Sequence, residues 1–560
     1  MRRDSPLRRA LALAGLTLLG LGAALFMSCT AAEEGALTPT PTRTPRPTQT
    51  PVPTPTPTPA WPVTVFIPYG LPAPVAQALE GALEAHPDRL TTSLSADEAD
   101  VRVVFNPGED GVPLAEWTYA LVAPFPTITD DVAWADLAAS WAGRPGGPFA
   151  GVPLLMTAET AATLAVVWGQ PAPGAVEIVA AEELLARAWQ ARRAWAIIPF
   201  EGLEPRWKVL RIDGQSVLDR KLDTATYPLT VHVDVTGLER GVAALTEAAG
   251  PFQTNRDPQE MAVVLLTGVT ALARATALRM ERYGPAYPAQ DIRDWLLEPD
   301  ITHISNEVSF AQDCPPPSDY STMVFCSSPA YIGLLADTDV DVVELTGNHV
   351  LDWGVDAMRF TLGLYNQYGI PYFGGGDDLA RALQPLTLTV GAQTFGFLGC
   401  NLVGPEFDWA TDSSPGSAPC DFERLTGQIR ALRESRIIPI VTLQYWEFYQ
   451  YEPTPQQQRD FRALADAGAA IVSGSQAHQP QGFDFHNGTF IHYGLGNLFF
   501  DQMWSLETRQ EFLDRHVFYQ GRHISTELLT AMLEDYSRPR PMTPEERAQL
   551  LQATFSASGW

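Results

Sequence analysis

A chain of 560 residues is too long for a single hydrophobic core; at ~100–200 residues per domain it predicts three folded units at most once tails are set aside. Apolar residues at 45% and aromatics at 10% exclude a wholly disordered chain. With 37 Lys and Arg against 65 Asp and Glu, the formal charge of -28 excludes a sequence-independent grip on nucleic acid or anionic lipid.

Residues 1–28 read as a signal peptide. Arg2, Arg3, Arg8 and Arg9 form a positive start, and Leu11 to Met27 is an uncharged apolar stretch, shorter than the ~20 residues of a membrane span. Phe26-Met27-Ser28-Cys29 resembles the lipobox of bacterial lipoproteins, although Phe26 stands where that pattern prefers Leu. The resemblance implies cleavage before Cys29 and a lipid anchor there, with the cell membrane as partner and its outer face as location. The alternatives are an ordinary signal peptide or an uncleaved anchor, and the chain is exported in each case. Residues 29–60 form a linker that is almost entirely Thr and Pro from Thr38 to Pro59. Pro fixes φ and removes donors, so this segment predicts an extended spacer of ~3.1 Å per residue.

Setting Cys29 aside leaves four cysteines, Cys314, Cys326, Cys400 and Cys420, none in a Cys-x-x-Cys. The short Pro- and Ser-rich loops between near neighbours favour the pairs 314–326 and 400–420 in an exported protein, each contributing ~3 kcal/mol by chain entropy. Four buried free thiols are the alternative.

Residues 61–235 alternate apolar strands with helical stretches (VTVFIPY, PVAQALEGALEAH, VRVVF, AEELLARAWQARR, WAIIPF), an α/β pattern. AWADLAASWAGRP and the later WAIIPFEGLEPRWKVLRIDGQSVLDRKLDTATYPL resemble type II periplasmic solute-binding proteins, which implies a two-lobed binding domain. A spacer domain without a ligand carries equal weight.

Residues 250–540 read as a second α/β domain. MAVVLLTGVTAL, VDVVEL, RIIPIVTL and AAIVSGS are strands, 355–368 and 456–467 are helices, and Asp377 or Asp378 can cap the helix LARAL. Gly391-Ala392 and Asn487-Gly488 close two hairpins. Polar residues gather just after strand carboxyl ends, where open α/β sheets place their sites.

Four blocks in this region, LTGNHVLDWG (345–354), FGGGDDLARAL (373–383), GSQAHQPQGF (474–483) and YGLGNLFFDQ (493–502), resemble in order and spacing those of the CapA family of capsule or poly-γ-glutamate synthesis proteins. The resemblance implies a calcineurin-like, metallophosphatase-type αββα sandwich, and polymer synthesis or export machinery as partner. Enzymes of that fold hold two metal ions through Asp, Asn and His at strand ends, polarising a phosphoryl oxygen and activating a water. Here the family's Gly-Asp is Gly268-Val269, its His-Trp-Gly falls on Gln444-Tyr445-Trp446, and the first His of its third block is Ser475.

The metal candidates carried over are Asn306, Glu307, Asn348 and His478, with His349 and Asp352 as catalytic candidates. Oxygen ligands with one or two imidazoles suit a single weakly held divalent ion (Mn, Mg or Zn) better than a binuclear centre. The same residues can instead satisfy backbone groups in a tight strand-to-helix turn. Two further features are ambiguous. Gly374-Gly375-Gly376 either cradles a phosphate or forms a turn that needs φ > 0. Trp446, Phe448, Tyr449 and Tyr451 either stack on a sugar ring or pack the sheet edge. The functional readings are a capsule-assembly protein with a degenerate metallophosphatase-like site, or a non-catalytic ligand- or polymer-binding lipoprotein.

Overall fold

The computed structural model describes residues 61–106, 111–318 and 323–560; the stretch expected to be a signal peptide, Cys29 and the Thr/Pro-rich segment lie outside the described residues. Residues from Val63 to Trp560 form one compact unit. Among the described residues no helix is long and apolar enough to cross a membrane.

The first part of this unit is an α/β layer of two lobes sharing one strand. The described residues give a ten-stranded sheet whose main path runs Leu90–Thr92, Val63–Phe66, Val101–Phe105, Thr230–Gly237, Val112–Pro124, Trp195–Pro199, Leu154–Met156, Val176–Ile178. The strand Val112–Pro124 is thirteen residues long and serves both lobes. Its first half pairs with Thr230–Gly237 (Thr118 opposite Thr230), and its second half pairs with Trp195–Pro199 (Val122 opposite Ala196). The helix Glu239–Ala249 packs on Ala73–Ala85, and Gln253–Thr254 adds to the same sheet.

No solvent layer separates this part from the next. Its core around Val63, Val101, Leu121 and Ile197 takes in Met261, Val263, Val517, Tyr519 and Ile524. Arg547 forks onto Asp130 at 2.6 and 2.8 Å across the same boundary. Two regions that the sequence reads as separate domains thus share one interior.

The second part is a helix–sheet–sheet–helix sandwich. One sheet runs Tyr372–Phe373, Val342–Glu344, Ile301–Asn306, Met261–Thr267, Gln510–Tyr519, Arg522–Glu534, Arg538–Pro541, with Val269–Thr270 and Asn497–Phe499 attached. The other runs Leu386–Val390, Gln393–Asn401, Ile438–Gln444, Ile471–Ser475, Thr489–His492, Phe483–His486. Val264, Leu266 and Phe512 of the first meet Phe395, Ile440 and Phe490 of the second in a shared apolar layer. Met280, Leu334 and Met358 cover the outer face of the first sheet, and Leu425, Ile429 and Phe461 that of the second.

Local chemistry places the elements. The helix Pro455–Asp466 starts at a capping box, Thr454 with Gln457. Asp378 caps Leu379–Ala382 by accepting from the Arg381 N–H at 2.8 Å. Asn487 and Gly488 close their hairpin at φ 50° and 83°, the left-handed pair of a type I′ turn. Gly268 cannot be replaced, because a Cβ there would lie 2.2 Å from the Gly496 carbonyl oxygen. Disulfides join Cys314 to Cys326 and Cys400 to Cys420.

Candidate functional site

In each sheet the central strands run parallel: Met261–Thr267 with Ile301–Asn306 and Val342–Glu344, and Gln393–Asn401 with Ile438–Gln444 and Ile471–Ser475. Their carboxyl ends therefore open at one edge, and side chains there join the two sheets. Ser305 Oγ lies 3.3 Å from Ser475 Oγ, and Gln444 Nε2 donates to Asn348 Oδ1 at 3.0 Å and to Gln476 Oε1. Of the sequence-predicted residues, Asn348 is held at this edge by Gln444.

Glu307 anchors the floor. Its N–H donates to the Thr270 carbonyl at 3.0 Å, and its backbone lies so close to Gly347 that a Cβ there would come within 2.3 Å. That approach sets Asn348 and His349 beside Glu307. His349 Nδ1 and Asp352 Oδ2 are 2.6 Å apart, and the same carboxylate accepts the Phe325 N–H at 2.8 Å. Burial works against the imidazolium, but the Asp352 hydrogen bond and the Glu307 and Asp352 charges outweigh it and raise the His349 pKa.

Asp408 completes the group, and sequence reasoning missed it. Burial drives its carboxyl up to about 7; the Leu351 N–H opposes this, the Asp352 and Glu307 charges reinforce it and the His349 charge opposes it. The only signal for it in the chain was its place inside the loop closed by Cys400 and Cys420. His349 and Asp408, beside the Asp352 and Glu307 carboxylates, are the groups here suited to hold and pass a proton.

Asn306 and His478 engage protein groups through their nitrogens, while Asn306 Oδ1 and Glu307 Oε2 are buried without a hydrogen-bond partner. Asn306 Nδ2 donates to the Val308 carbonyl and to Tyr365 Oη at 2.9 and 2.8 Å. His478, at φ 54°, has Nδ1 2.9 Å from Asn497 Oδ1. Val269 is fully buried and joins Ala271, Ala273, Val308, Phe325 and Phe500 in a small apolar cluster. The Arg274 guanidinium lies 4.9 Å from the centres of both Phe325 and Phe500 and pairs with Asp501.

These donors do not fit a pair of cations. A buried valine offers no ligand, the Gln444 and Asn348 amides bond each other, and Arg274 places a fixed positive charge beside the cluster. Among the described residues no group of three or more His, Cys, Asp or Glu side chains is arranged to hold a metal ion. Gly374 makes the bend, at φ 69° with a Cβ that would lie 2.5 Å from Thr346, and Gly375–Gly376 is a short strand paired with Gly416–Ser417. Of the aromatic run, Tyr451 packs at the sheet edge, donating to Gln510 Oε1 at 2.6 Å, while Trp446, Phe448 and Tyr449 face solvent.

Residues 234–502 match the family profile described as bacterial capsule synthesis protein PGA_cap. The PGA biosynthesis protein CapA of Bacillus subtilis (strain 168) is 29% identical over 191 residues, covering 34% of this chain and 50% of that protein. The capsule biosynthesis protein CapA of Bacillus anthracis is 23% identical over 309 residues, covering 53% of this chain and 73% of that protein. The chain thus spans about half the length of the Bacillus subtilis relative. Among solved structures, the NAD nucleotidase of Haemophilus influenzae aligns at 10% identity and a TM-score of 0.29, covering 53% of this chain and 56% of that one, a likeness too slight to argue from. The matched segment holds all four sequence blocks and the strand-end loops that form the site, so it is through these residues that the chain is similar to the bacterial capsule synthesis proteins.

Proposed function

We propose that this chain is an envelope-anchored accessory protein of capsular polysaccharide or poly-γ-glutamate synthesis and export, acting without a binuclear metal centre. The names of its relatives support the process. The observation that carries the non-hydrolytic reading is the strand-end chemistry: Val269 is buried at 0% exposure and Gln444 is bonded to Asn348, where two bridged cations need a carboxylate and an imidazole.

Phosphomonoesterase and phosphodiesterase activity on chromogenic substrates is therefore expected at background, with or without added Mn²⁺. The triple variant Val269→Asp, Gln444→His, Ser475→His is expected to retain Mn²⁺ in equilibrium dialysis where the wild type does not, before it gains turnover. Robust metal-dependent turnover by the wild type, abolished in His349→Ala, would overturn this reading and leave His349, Asp352 and Glu307 as catalytic groups.

The anchor is part of the same proposal. Labelled palmitate is expected to enter the wild-type chain and not Cys29→Ser, and equal labelling of both would exclude lipidation at Cys29. A polymer-binding role, with no chemistry at all, is favoured by one specific feature, the exposed aromatic rim of the site.

A further inference from the structure

The loops that follow the site strands carry large apolar side chains into solvent. Trp504 is 61% exposed, Trp446 50% and Tyr449 46%. Trp504 and Tyr449 lie together. The Tyr449 ring lies 6.1 Å from Trp504, edge-on, and 6.5 Å from His478, nearly parallel at 21°. His478 meets Phe500 at 5.4 Å, Phe500 meets Phe325 at 6.2 Å, and Phe325 meets His349 at 4.3 Å. An unbroken aromatic track therefore runs from solvent at Trp504 to the His349–Asp352 pair.

The loops around the outer end of this track carry acidic charges and no basic ones. The loop segments 311–318, 323–328, 347–353, 404–408, 445–452, 475–482 and 501–507 contain no Lys or Arg, but they contain Asp313, Asp352, Glu406, Asp408, Glu447, Glu452, Asp501 and Glu507. The nearby cation Arg274 is 11% exposed at its side chain and is paired with Asp501. A polyanion meets repulsion here, at a mouth whose carboxylates add to a net charge of -28. A neutral pyranose chain meets none. Its C–H faces suit the negative faces of exposed Trp and Tyr rings, and its hydroxyls can donate to rim carboxylates such as Glu447, which already accepts from Tyr449 Oη. Exposed rings in contact with one another above a polar site mark a binding surface rather than a packing accident.

We propose that Trp504 and Tyr449 form a stacking platform that binds an uncharged saccharide chain at the mouth of the site, in preference to poly-γ-glutamate. The proposal rests on the reading of this chain as a capsule-assembly protein. It is tested separately from that reading, because binding to the purified chain involves neither the anchor nor turnover.

The experiment titrates the full chain with cellohexaose, maltohexaose and poly-γ-glutamate, following tryptophan fluorescence and heat. Saturable binding of at least one hexasaccharide is expected, insensitive to 0.5 M salt (a value of about this size is several times the ionic strength that screens surface charge), with no binding of poly-γ-glutamate. Trp504→Ala is expected to weaken binding roughly tenfold and Trp504→Phe by about twofold or less, since Phe keeps a ring to stack on. Failure of both hexasaccharides to bind, binding unchanged in Trp504→Ala, or salt-sensitive binding of poly-γ-glutamate lost in Trp504→Ala would each overturn the proposal.

Discussion

Replacing His303 with Ala is expected to cost ~3–5 kcal/mol of stability, the largest single loss among the side chains considered. His303 Nε2 lies 3.1 Å from Glu344 Oε2, and each side chain is 1% exposed. The other Glu344 oxygen accepts from Thr346 Oγ1 at 2.5 Å. Burial works against the Glu344 carboxylate, but the His303 bond and charge, with Thr346, outweigh it and hold its pKa below the ordinary value. Removing His303 leaves a carboxylate in a dry interior with half its support gone. The double change His303→Leu, Glu344→Met removes both partners and is expected to be much less harmful than the single one.

The pH dependence checks the sign. A depressed carboxyl pKa contributes stability that is present above its unfolded value of ~4.3 and lost as pH falls through the folded one. Once His303 is gone Glu344 titrates higher, so the penalty of His303→Ala should shrink in acid. Urea midpoints for the wild type and both variants at pH 7 and pH 4.5 measure this. A loss under ~1 kcal/mol at pH 7 would mean that the pair is dispensable.

Glu511→Met is expected to act in the opposite direction, raising stability at pH 7 by ~1–3 kcal/mol. Glu511 lies in the strand Gln510–Tyr519 at 0% exposure, and neither of its carboxyl oxygens has a hydrogen-bond partner. Burial alone pushes its pKa well above the ordinary value. A carboxyl of this kind is protonated in the fold, and the unfolded chain gains by ionising. Its contribution is favourable below ~4.3 and is lost as pH rises toward the folded value. The gain from Glu511→Met should therefore grow between pH 4 and pH 7, and a destabilised variant at pH 7 would show that the carboxyl has a role that burial does not reveal.

His523 pulls the other way across the same window. Burial presses its pKa down to about 3, against a contact of 3.0 Å with the Ser525 carbonyl, so the folded state refuses protons that the unfolded chain accepts below ~6.5. In the wild type Glu511 and His523 offset one another on acidification. Without Glu511 the acid loss should be steeper.

The sequence alone was enough for the local elements, because periodicity, caps and turns act over a few residues. The hairpin through Asn487-Gly488, the cap at Asp378, the helix 355–368 and the short disulfide loops are all set by chemistry between near neighbours. The family blocks likewise placed Asn348, His349, Asp352 and His478 on strand-end loops, since a strand followed by a polar turn is itself a local pattern. The state of those residues was not legible. That Gln444 bonds Asn348, that His478 is tied to Asn497, and that Val269 closes an apolar cluster with Phe325 and Phe500 depends on pairing between strands as many as 230 residues apart. Asp408 joined the site for the same reason: its burial and its raised pKa come from packing against the 347–353 turn, which no property of GPEFDWA encodes by itself. The shared core of the two α/β parts is a further case. Apolar patterning tells a strand which of its faces to bury, and only the tertiary structure decides which partner covers that face.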